Sequence, residues 1–586
     1  MFFRDYAHLV MALASFVVPT VAQGQAIPIT GLSTGIDQIT GERPARKNIN
    51  DLQAAGGPSC TDDTKPCLGT NGATRDLYIL GLSDLQNKSE SDPISYFQLA
   101  GIHGRPFIPW NGVENATVVT LAGFCPHGSI QFAAWHRPYV ALFEAFASQY
   151  ENSSSASYKA AAESFRVPYW DWASDYRLPA SVIDQRVTVN GPHGKVDIPN
   201  PLYSYRWQQF PLNSEAHYFP TDDGNKDCWY WNETKRLPNA NGSDQYDAVN
   251  QSLADISSSL QDQVYRVFTS AKDYETMAST EDRSSSFESV HDQVHGVFGA
   301  VMQNLDYSAF DPLFWLHHAN VDRLYAMWQA IHYNNTYQTQ VRFAGLLYGT
   351  PDANVTADSP LKPFYRGDDP TSFHTGRTAA AMATFGYTYP EIDDWSLSQE
   401  ETRKAVTAKV NQLYSNGANG VSSAQQQRRR RRQQQAPRKE YFAHVSVERA
   451  ELQLPCTVYF MLGDEKAGQM SLLSMPMKGR THGEVPLTRA LDRALASDAV
   501  AVKGNAPVGD VKLVTSKLRQ LFRVEIRKAD GTVIPVESVP SLSVEVEGED
   551  VVAASHIGEF PAYGVATRLS GVGFGKLARR EAKNRL

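Results

Sequence analysis

The chain has 586 residues, 42% of them hydrophobic and 20% charged, a balance typical of globular proteins and not of disordered, collagen-like or disulfide-scaffold chains. This length exceeds what one ordinary hydrophobic core holds, so at least two domains are predicted. The formal net charge of −8 excludes a global positive field that would hold nucleic acid.

Residues 1–24 are predicted to be a signal peptide for secretion. Arg4 precedes an apolar run from Leu9 to Val18, and Ala22-Gln23-Gly24 forms a small-x-small cleavage site. The run is too short to serve as a stable membrane anchor. A buried N-terminal helix is the alternative, and Asp5 favours it by weakening the charged region. No other segment of the sequence is long and apolar enough to be transmembrane.

Sequons and cysteines are consistent with secretion. Five cysteines cannot all pair within one chain, so at least one is free, metal-bound or modified. Cys60 and Cys67 lie in a polar loop and could close a small disulfide in an oxidising compartment. All Asn-x-Ser/Thr sequons precede residue 418, which favours a glycosylated catalytic region. They lie at Asn87, Asn115, Asn152, Asn232, Asn241, Asn250, Asn334 and Asn354.

Three segments within residues 25–415, the predicted catalytic domain, favour helices that carry histidines. Gln131–Phe146 is aromatic-rich, with Pro138 expected at a first turn or a kink. Val290–Phe298 and His317–Gln329 are the other two, and Asp311-Pro312 is a start signal for the last.

The composition changes at residues 416–439, which are rich in glutamine and contain five consecutive arginines, Arg428–Arg432. Such a stretch cannot bury a core, so an exposed linker is predicted. In a secreted chain the arginines are interpreted as a processing site for a basic-residue protease; a solvated tail or a nucleic-acid-binding arm is the alternative.

Residues 440–586 are predicted to form an all-β sandwich domain that ends in a basic tail. The prediction depends on four segments in which apolar and polar residues alternate with period two. These segments are Ala443–Glu448, Cys456–Phe460, Phe522–Ile526 and Leu542–Glu547.

The clearer of two histidine clusters begins with His291 and His295, at i and i+4 on one helical face, where two nitrogens can bind one metal ion. His317 and His318 are about 100° apart on a helix, so one of them faces a given metal, and periodicity does not choose between them. Asp292 replaces the glutamate of a His-Glu-x-x-His motif, which disfavours a zinc protease.

The other cluster contains His103, His127 and His136. On one continuous helix His127 and His136 would face opposite sides, so a shared ion requires His127 to lie on the loop before the helix, which Pro126 and Gly128 favour. A single histidine among aromatic residues is usually a core residue, but two groups of three imidazoles make that interpretation weaker. Imidazole ligation suits copper, zinc or iron, and spacing alone does not select the metal.

These motifs together resemble those of one enzyme family. His103, Cys125-Pro-His127-Gly-Ser and Trp135-His136-Arg-Pro-Tyr resemble the copper-A signature of fungal, ascomycete-type tyrosinases, also called polyphenol oxidases. His291-Asp-Gln-Val-His295 and the segment Asp311–Leu324 resemble the copper-B signature.

The resemblance covers residues 95–390 and continues past the linker. Gly386-Tyr-Thr-Tyr389 is similar to the tyrosine motif that closes the family's catalytic domain, and the β region resembles its C-terminal shielding domain. The resemblance implies a mainly α catalytic domain, whose central antiparallel four-helix bundle holds two copper ions in a type-3 dinuclear centre, plus the C-terminal all-β sandwich.

The resemblance also implies roles for individual residues. Cys125 would form a thioether with His127, and His317 would lie outside the ligand set. The implied ligands are His103, His127 and His136 for copper A, and His291, His295 and His318 for copper B.

Three further residues are implied to act in catalysis. Glu288 resembles the glutamate that positions a water for substrate deprotonation; a solvated helix-start residue is the alternative. Asp292 stands where many monophenol-oxidising members have asparagine, and it could act as a base itself or disturb that water. Leu305 occupies the position of a gate residue and is smaller than the phenylalanine of many plant catechol oxidases, so bulky phenols should fit.

The implied function is a secreted copper oxidase that ortho-hydroxylates monophenols and oxidises o-diphenols to o-quinones with O2. Melanin synthesis and defence both remain open as its purpose. The implied latent proenzyme is covered by its own C-terminal domain until a protease cuts at Arg428–Arg432. The sequence does not show which residue fills the pocket; any aromatic residue of the β domain, such as Phe560 or Tyr563, could. No nucleic-acid or membrane partner is expected. The alternatives are a catechol oxidase without monophenolase activity, a haemocyanin-like oxygen carrier and, more remotely, a zinc hydrolase.

Overall fold

The computed structural model describes residues 26–55, 70–114, 123–150, 156–191, 194–214, 218–221, 226–343, 354–415, 438–499 and 509–574. The signal-peptide segment, the pair Cys60 and Cys67, the sequons at Asn115 and Asn152, and the run Arg428–Arg432 lie outside these residues. Within the described ranges, no helix combines the length and apolarity needed to cross a membrane.

Helices dominate before the linker and strands after it. The helices are α1 Ile49–Ala55, α2 Thr70–Asn87, α3 Tyr96–Gly101, α4 Phe132–Glu144, α5 Ala156–Ser164, α6 Lys226–Trp229, α7 Tyr246–Ser270, α8 Tyr274–Ala278, α9 Phe287–Gly296, α10 Ala300–Gln303, α11 Leu313–Ile331, α12 Gln399–Tyr414, α13 Thr488–Ala499 and α14 Val511–Leu521. The strands are β1 Arg186–Gly191, β2 Gly194–Pro199, β3 Arg342–Phe343, β4 Asn354–Val355, β5 Pro360–Tyr365, β6 Phe373–Thr375, β7 Arg438–Glu448, β8 Cys456–Leu462, β9 Glu465–Leu472, β10 Arg480–Pro486, β11 Phe522–Lys528, β12 Val533–Ile534, β13 Ser543–Val552, β14 Ala562–Tyr563 and β15 Thr567–Phe574.

The helical core is built around α4, α7, α9 and α11. Phe143 of α4 stacks on Trp315 of α11 with ring centroids 3.9 Å apart. Phe268 of α7 meets Phe287 of α9 edge-on at 5.3 Å. Every side chain of α4 is buried, as expected of a helix surrounded by protein on all sides. The predicted fold class, a helical catalytic region with a C-terminal β domain, is confirmed.

The helix boundaries differ from the prediction. Pro138 lies in the middle of α4, so of the two expected positions, a first turn or a kink, the first turn is excluded. The packed core around α4 tolerates the loss of the backbone hydrogen bond that a mid-helix proline removes. Helix α11 begins at Leu313, four residues before His317, and ends at Ile331, and α9 ends at Gly296. Helix α9 begins three residues earlier than Val290, because Ser286 caps it and forms a reciprocal capping box with Ser289.

The C-terminal region contains two antiparallel sheets packed around one core. One sheet has the strand order β10-β7-β13, with β14 and β15 both paired to β13, and the other has the order β12-β11-β8-β9. The sandwich also contains α13 and α14, so the all-β description was incomplete. Their apolar residues recur at helical spacing, with Leu491 and Leu495 buried in α13, and Val514 and Leu518 in α14.

The two regions meet through ion pairs that are largely buried. Arg266 of α7 donates to Glu484 of β10 at 2.8 Å and to both carboxylate oxygens of Glu549 of β13 at 2.8 and 2.9 Å. Arg283 reaches Glu545 and Glu547 on the same strand. Because each buried charge has a partner of opposite sign, this interface fixes the orientation of the β domain on the helical core.

The tyrosine motif, Gly386–Tyr389, is joined to α11 by hydrogen bonds. Tyr387 and Tyr389 both donate hydroxyl hydrogen bonds to Asp322 of α11. The same carboxylate accepts from Arg137 of α4 at 2.7 Å and from Arg46 at 3.0 Å. One fully buried carboxylate on α11 therefore binds α4, Arg46 near the start of the helical region and the tyrosine motif near its end.

Candidate metal centre

The first histidine group is assembled from three separate elements. His103 follows α3, His127 lies on the loop before α4, and His136 lies within α4. His103 Nδ1 donates to the Leu305 carbonyl at 2.9 Å and His136 Nδ1 to the Phe132 carbonyl at 2.8 Å. A carbonyl can only accept, so both Nδ1 atoms carry the proton and the Nε2 lone pairs face the centre.

The second group is formed by α9 and α11. His295 Nδ1 donates to the Met302 carbonyl at 2.7 Å, and His291 Nδ1 lies 3.0 Å from Asp292 Oδ1. The Nε2 atoms of His291 and His295 lie 3.2 and 3.4 Å from His318 Nε2. Three ring nitrogens this close, with Nδ1 protons placed elsewhere on two of the rings, form a cradle for a cation that takes nitrogen ligands at about 2.0–2.1 Å.

The adjacent His317 and His318 differ in their contacts with the α9 histidines. His318 supplies the nitrogen that meets both α9 histidines. The His317 ring stacks on His291, with centroids 4.9 Å apart, and neither of its nitrogens has a hydrogen-bond partner. His317 is nonetheless one of four imidazoles whose nearest nitrogens lie within 4.8 Å of one another.

The electrostatic state of the six imidazoles suits metal binding. Burial lowers the pKa of each ring below its usual value of 6.5, to about 3 for His136 and about 4 for His295. The rings are therefore neutral at physiological pH and no proton competes for the ligand nitrogen. The Nε2 atoms of His103 and His127 are buried and have no hydrogen-bond partner, which leaves both lone pairs available to a metal ion.

The two groups adjoin each other. The rings of His136 and His318 are nearly parallel and stack with centroids 4.2 Å apart. His127 and His291 lie 5.7 Å apart by the same measure. The arrangement thus provides two neighbouring three-imidazole sites and not one larger site.

Cys125 lies among the ligands of the first group. Its Sγ is 3.3 Å from His127 Nδ1 and 3.3 Å from His136 Nε2, both non-bonded contacts. Burial raises the pKa of the Cys125 thiol, so the protonated form is favoured in the absence of metal.

Glu288 is buried and is not a solvated helix-start residue. Its Oε1 accepts the Gly128 backbone N–H at 2.5 Å and its Oε2 accepts that of Thr280 at 3.0 Å. The carboxylate thereby ties the His127 loop to α9. Burial raises the pKa of Glu288 to about 7, and the nearby carboxylate of Glu281 raises it further. Burial also raises the pKa of Asp292, and the Glu288 carboxylate adds to that rise.

The mouth of the centre is closed by the C-terminal domain. Leu305 lines a cavity of about 30 Å³ together with His103 and His127, and Met475 and Pro476 of the C-terminal domain form its outer side. Both lie on the loop between β9 and β10, which carries no motif that would have marked it in the sequence.

The two aromatic residues named as examples for this position lie elsewhere. Phe560 packs against Tyr265 with centroids 6.1 Å apart, and Tyr563 lies 4.6 Å from the guanidinium of Arg266 at the domain interface. Neither residue lines the cavity.

Comparisons with known proteins agree with this architecture. The family model "Common central domain of tyrosinase" matches residues 93–331, and "Tyrosinase C-terminal domain" matches residues 440–546. A tyrosinase of Podospora anserina is 33% identical over 421 residues, which are 65% of this chain and 68% of that protein. The chain belongs to the tyrosinase family.

A second tyrosinase, from Neurospora crassa, is 34% identical over 374 residues, 58% of this chain and 53% of the relative, so the match spans about half of that protein. Among solved structures, a crystal of latent and active mushroom tyrosinase has a TM-score of 0.75 at 22% identity, covering 93% of this chain and 99% of the other. The fungal relationship expected from the motifs is confirmed.

The cofactor of the tyrosinase family is a pair of copper ions in a type-3 centre, and the donor set here fits it. Each of two buried groups offers at least three neutral imidazoles. Copper favours such nitrogen ligands.

Proposed function

We propose that this tyrosinase-family chain is a copper oxidase that ortho-hydroxylates monophenols and oxidises o-diphenols to o-quinones. The carrying observation is the stacking of His136 on His318 at 4.2 Å, which brings two three-imidazole groups side by side. The copper pair, when bound, supplies O2 activation and accepts the substrate's electrons. One O2 converts two o-diphenols into two o-quinones and two waters, or one monophenol into one o-quinone and one water.

The proposed ligand assignment follows the positions of the Nε2 atoms. His317 is excluded because its nitrogens make no contact as short as those of His318 with the α9 histidines. The proposed ligands are His103, His127 and His136 for copper A, and His291, His295 and His318 for copper B.

Two carboxyl groups are proposed to act beside copper B. Asp292 holds the proton on His291 Nδ1, which orients the ring and keeps its Nε2 directed to the metal. Glu288 fixes the His127 loop, and its oxygens retain lone pairs that can hold a water near the substrate. Because burial raises the pKa of Glu288 to about 7, this group is suited to accept a phenol proton at near-neutral pH.

Leu305 is proposed as the gate residue. It is 4% exposed, and its carbonyl accepts from His103 while its side chain lines the cavity above the centre. A leucine leaves more room than an aromatic ring for a bulky phenol. This supports monophenolase activity in addition to diphenolase activity.

We propose that Cys125 and His127 form a thioether in the mature protein. The Sγ atom already contacts the imidazole ring at 3.3 Å, and the bond would hold a ligand that lies on a loop. Its formation breaks the Cys125 S–H bond and a ring C–H bond of His127, and O2, activated by the bound copper, would accept the two electrons and two protons. The intact mass of copper-loaded protein is therefore expected to be about 2 Da below that of the metal-free protein. The Cys125→Ala variant is expected to show no such difference, and equal masses for both wild-type forms would contradict the thioether.

We propose secretion and glycosylation from the N-terminal segment and the sequons. Asn87, Asn232, Asn241, Asn334 and Asn354 are exposed. Asn250 differs because its side-chain oxygen accepts the Leu178 N–H at 3.0 Å, so it is expected to remain unmodified.

The C-terminal domain is proposed to keep the enzyme latent until the linker is cut near Arg428–Arg432. A cavity of about 30 Å³ is far smaller than the roughly 300–1,000 Å³ of typical ligand pockets, so it leaves no room for a phenol ring. Copper-replete full-length protein should therefore oxidise a catechol at least about tenfold faster after limited trypsin treatment, by initial rates of quinone absorbance. Full-length protein without trypsin, and trypsin-treated protein stripped of copper, are the controls.

The outcomes separate the parts of the proposal. Equal rates before and after cleavage would rule out latency. Turnover of catechol but not of a simple monophenol, even after a lag, would leave a catechol oxidase. Reversible O2 binding without quinone formation would indicate an oxygen carrier, and fewer than two coppers per chain under copper-replete growth would contradict the whole assignment.

A further inference from the structure

The loop that closes the centre joins β9 to β10 and consists of residues 473–479, here called the lid loop. Met475 and Pro476 of this loop cover the cavity above His103 and His127. Ser474 Oγ accepts the backbone N–H of Leu305 at 3.2 Å. The lid loop thus touches the proposed gate residue through its backbone as well as covering the metal ligands.

A single side chain of the C-terminal domain holds this loop in shape. Arg449 Nε donates to the Pro476 carbonyl at 2.5 Å, and one of its terminal nitrogens donates to the carbonyls of Leu473 at 2.6 Å and Met475 at 3.0 Å. Carbonyls on an irregular loop lack strand partners, and a planar guanidinium is the side chain whose fixed fork can satisfy several of them. The Arg449 backbone N–H also donates to Gly479, at the other end of the loop, at 2.9 Å.

The Arg449 guanidinium is buried and its charge is balanced from the catalytic region. The residue is 5% exposed. Burial lowers the pKa of Arg449, and the nearby carboxylates of Asp292 and Glu288 oppose that change. The cation that shapes the lid loop therefore lies within electrostatic reach of the two carboxyl groups beside copper B.

The lid loop also rests directly on the loop that carries His127. A Cβ atom added to Gly128 would lie 3.2 Å from Pro476 Cγ, and the φ angle of +59° at Gly128 independently favours glycine. The Gly128 N–H is the one that donates to Glu288. Arg449, Pro476, Gly128 and Glu288 thus form a continuous set of contacts from the β domain to α9.

We infer that Arg449 is the clasp of the inhibitory lid: its guanidinium holds residues 473–476 closed over the centre through hydrogen bonds to three loop carbonyls. The inference rests on the proposed function, since a clasp matters to an enzyme that is latent. Latency then depends on two contributions: Arg266 holds the C-terminal domain on the helical core, and Arg449 holds the lid loop closed. Arg449 follows the linker in sequence, so it departs with the domain and takes no part in catalysis by the processed enzyme.

The test compares Arg449→Met with wild type as full-length, copper-loaded proteins. Before trypsin, the variant is expected to oxidise catechol about tenfold faster than wild type or more, because three donor–acceptor contacts that keep the loop closed are lost together. After trypsin, the two are expected to have equal kcat and KM. Arg449→Lys keeps the positive charge but loses the planar guanidinium that donates to several carbonyls. Before trypsin it is also expected to oxidise catechol faster than wild type, by a smaller factor than Arg449→Met.

Arg523→Met is the matched control. Arg523 lies in the same domain, is exposed, and donates to the Gly463 carbonyl of a hairpin turn at 2.5 Å. Arg523 also donates from its guanidinium to a loop carbonyl, but away from the metal centre. Its replacement is therefore expected to leave latency unchanged. A thermal unfolding scan of each full-length variant shows whether the β domain remains folded.

Hydrogen exchange of peptides covering residues 473–479 supplies a readout that does not depend on activity. Exchange there is expected to be at least about tenfold faster in Arg449→Met than in wild type, with peptides of β7 and β13 unchanged. Unchanged exchange, or faster exchange with unaltered latency, overturns the clasp. If trypsin-treated wild type is itself inactive, the proposed function fails, and the exchange data still decide whether Arg449 holds the loop.

Discussion

Full-length protein carrying His318→Ala is expected to hold about one copper per chain where wild type holds about two, because one of its two imidazole groups loses the nitrogen on which the others converge. Catechol oxidation after trypsin should fall by more than about 100-fold, since even the loss of a partner beyond the ligands costs 10–100-fold in metal affinity or activity. Copper content by elemental analysis and quinone formation are the two measurements.

His317→Ala is the adjacent control for this prediction. It removes a buried imidazole that stacks on His291 without giving up the converging nitrogen. It is therefore expected to retain both coppers, with any loss of activity smaller than that of His318→Ala. His332→Ala, at the end of α11 where the ring stacks on Trp328, should match wild type in copper content. The ligand assignment is wrong if the results for His317 and His318 are exchanged.

Asp322→Asn is expected to lower the free energy of unfolding of the catalytic region by about 3–5 kcal/mol, the usual cost of leaving buried charges uncompensated. The fully buried Asp322 carboxylate accepts from Arg46 and Arg137 and from Tyr387 and Tyr389. Denaturant unfolding followed by tryptophan fluorescence measures the change. Asp358→Asn breaks an exposed pair with Arg377 and should leave the unfolding midpoint unchanged.

The same carboxylate predicts a pH dependence of stability. Burial alone would raise the pKa of Asp322, but Arg137 and Arg46 together with the two tyrosine hydroxyls hold it below the ordinary value of 3.8. Because the folded-state pKa is depressed, the stabilisation is fully present above pH 3.8 and is lost as the pH falls through the folded value. Wild type should therefore lose stability more steeply than Asp322→Asn below about pH 4. Parallel curves for the two proteins would contradict this role.

Local patterns in the sequence predicted much of the fold and the histidines of the candidate metal centre. The i, i+4 spacing of His291 and His295 places both on one face of α9, and period-two alternation located β7, β8, β11 and β13. Periodicity left His317 and His318 undecided, since each has apolar neighbours at helical spacing. In the structure the Nε2 atom of His318 lies close to those of the α9 histidines, and this contact supports the proposal of His318 as the ligand.

Other features depend on contacts between distant segments and have no local signal. Arg449 and Met475 belong to a different domain from the centre that they close, and neither lies in a recognisable motif. The burial of Glu288 likewise has no local signal in the sequence. Its two carboxylate oxygens accept the backbone N–H groups of Gly128 and Thr280, which lie on separate loops. For such contacts the sequence supplies residue types, while the tertiary fold supplies the pairing.

The stacking of His136 on His318 has a mechanical consequence. These two rings project from α4 and α11, which are locked together by the Phe143–Trp315 stack and by Asp322. The relative position of these two imidazoles is therefore set by close-packed helices, whereas His103 and His127 lie outside the helices. If His136 and His318 each bind a metal ion, the helical pair should keep these two ligands at a constant separation while substrates of different bulk bind.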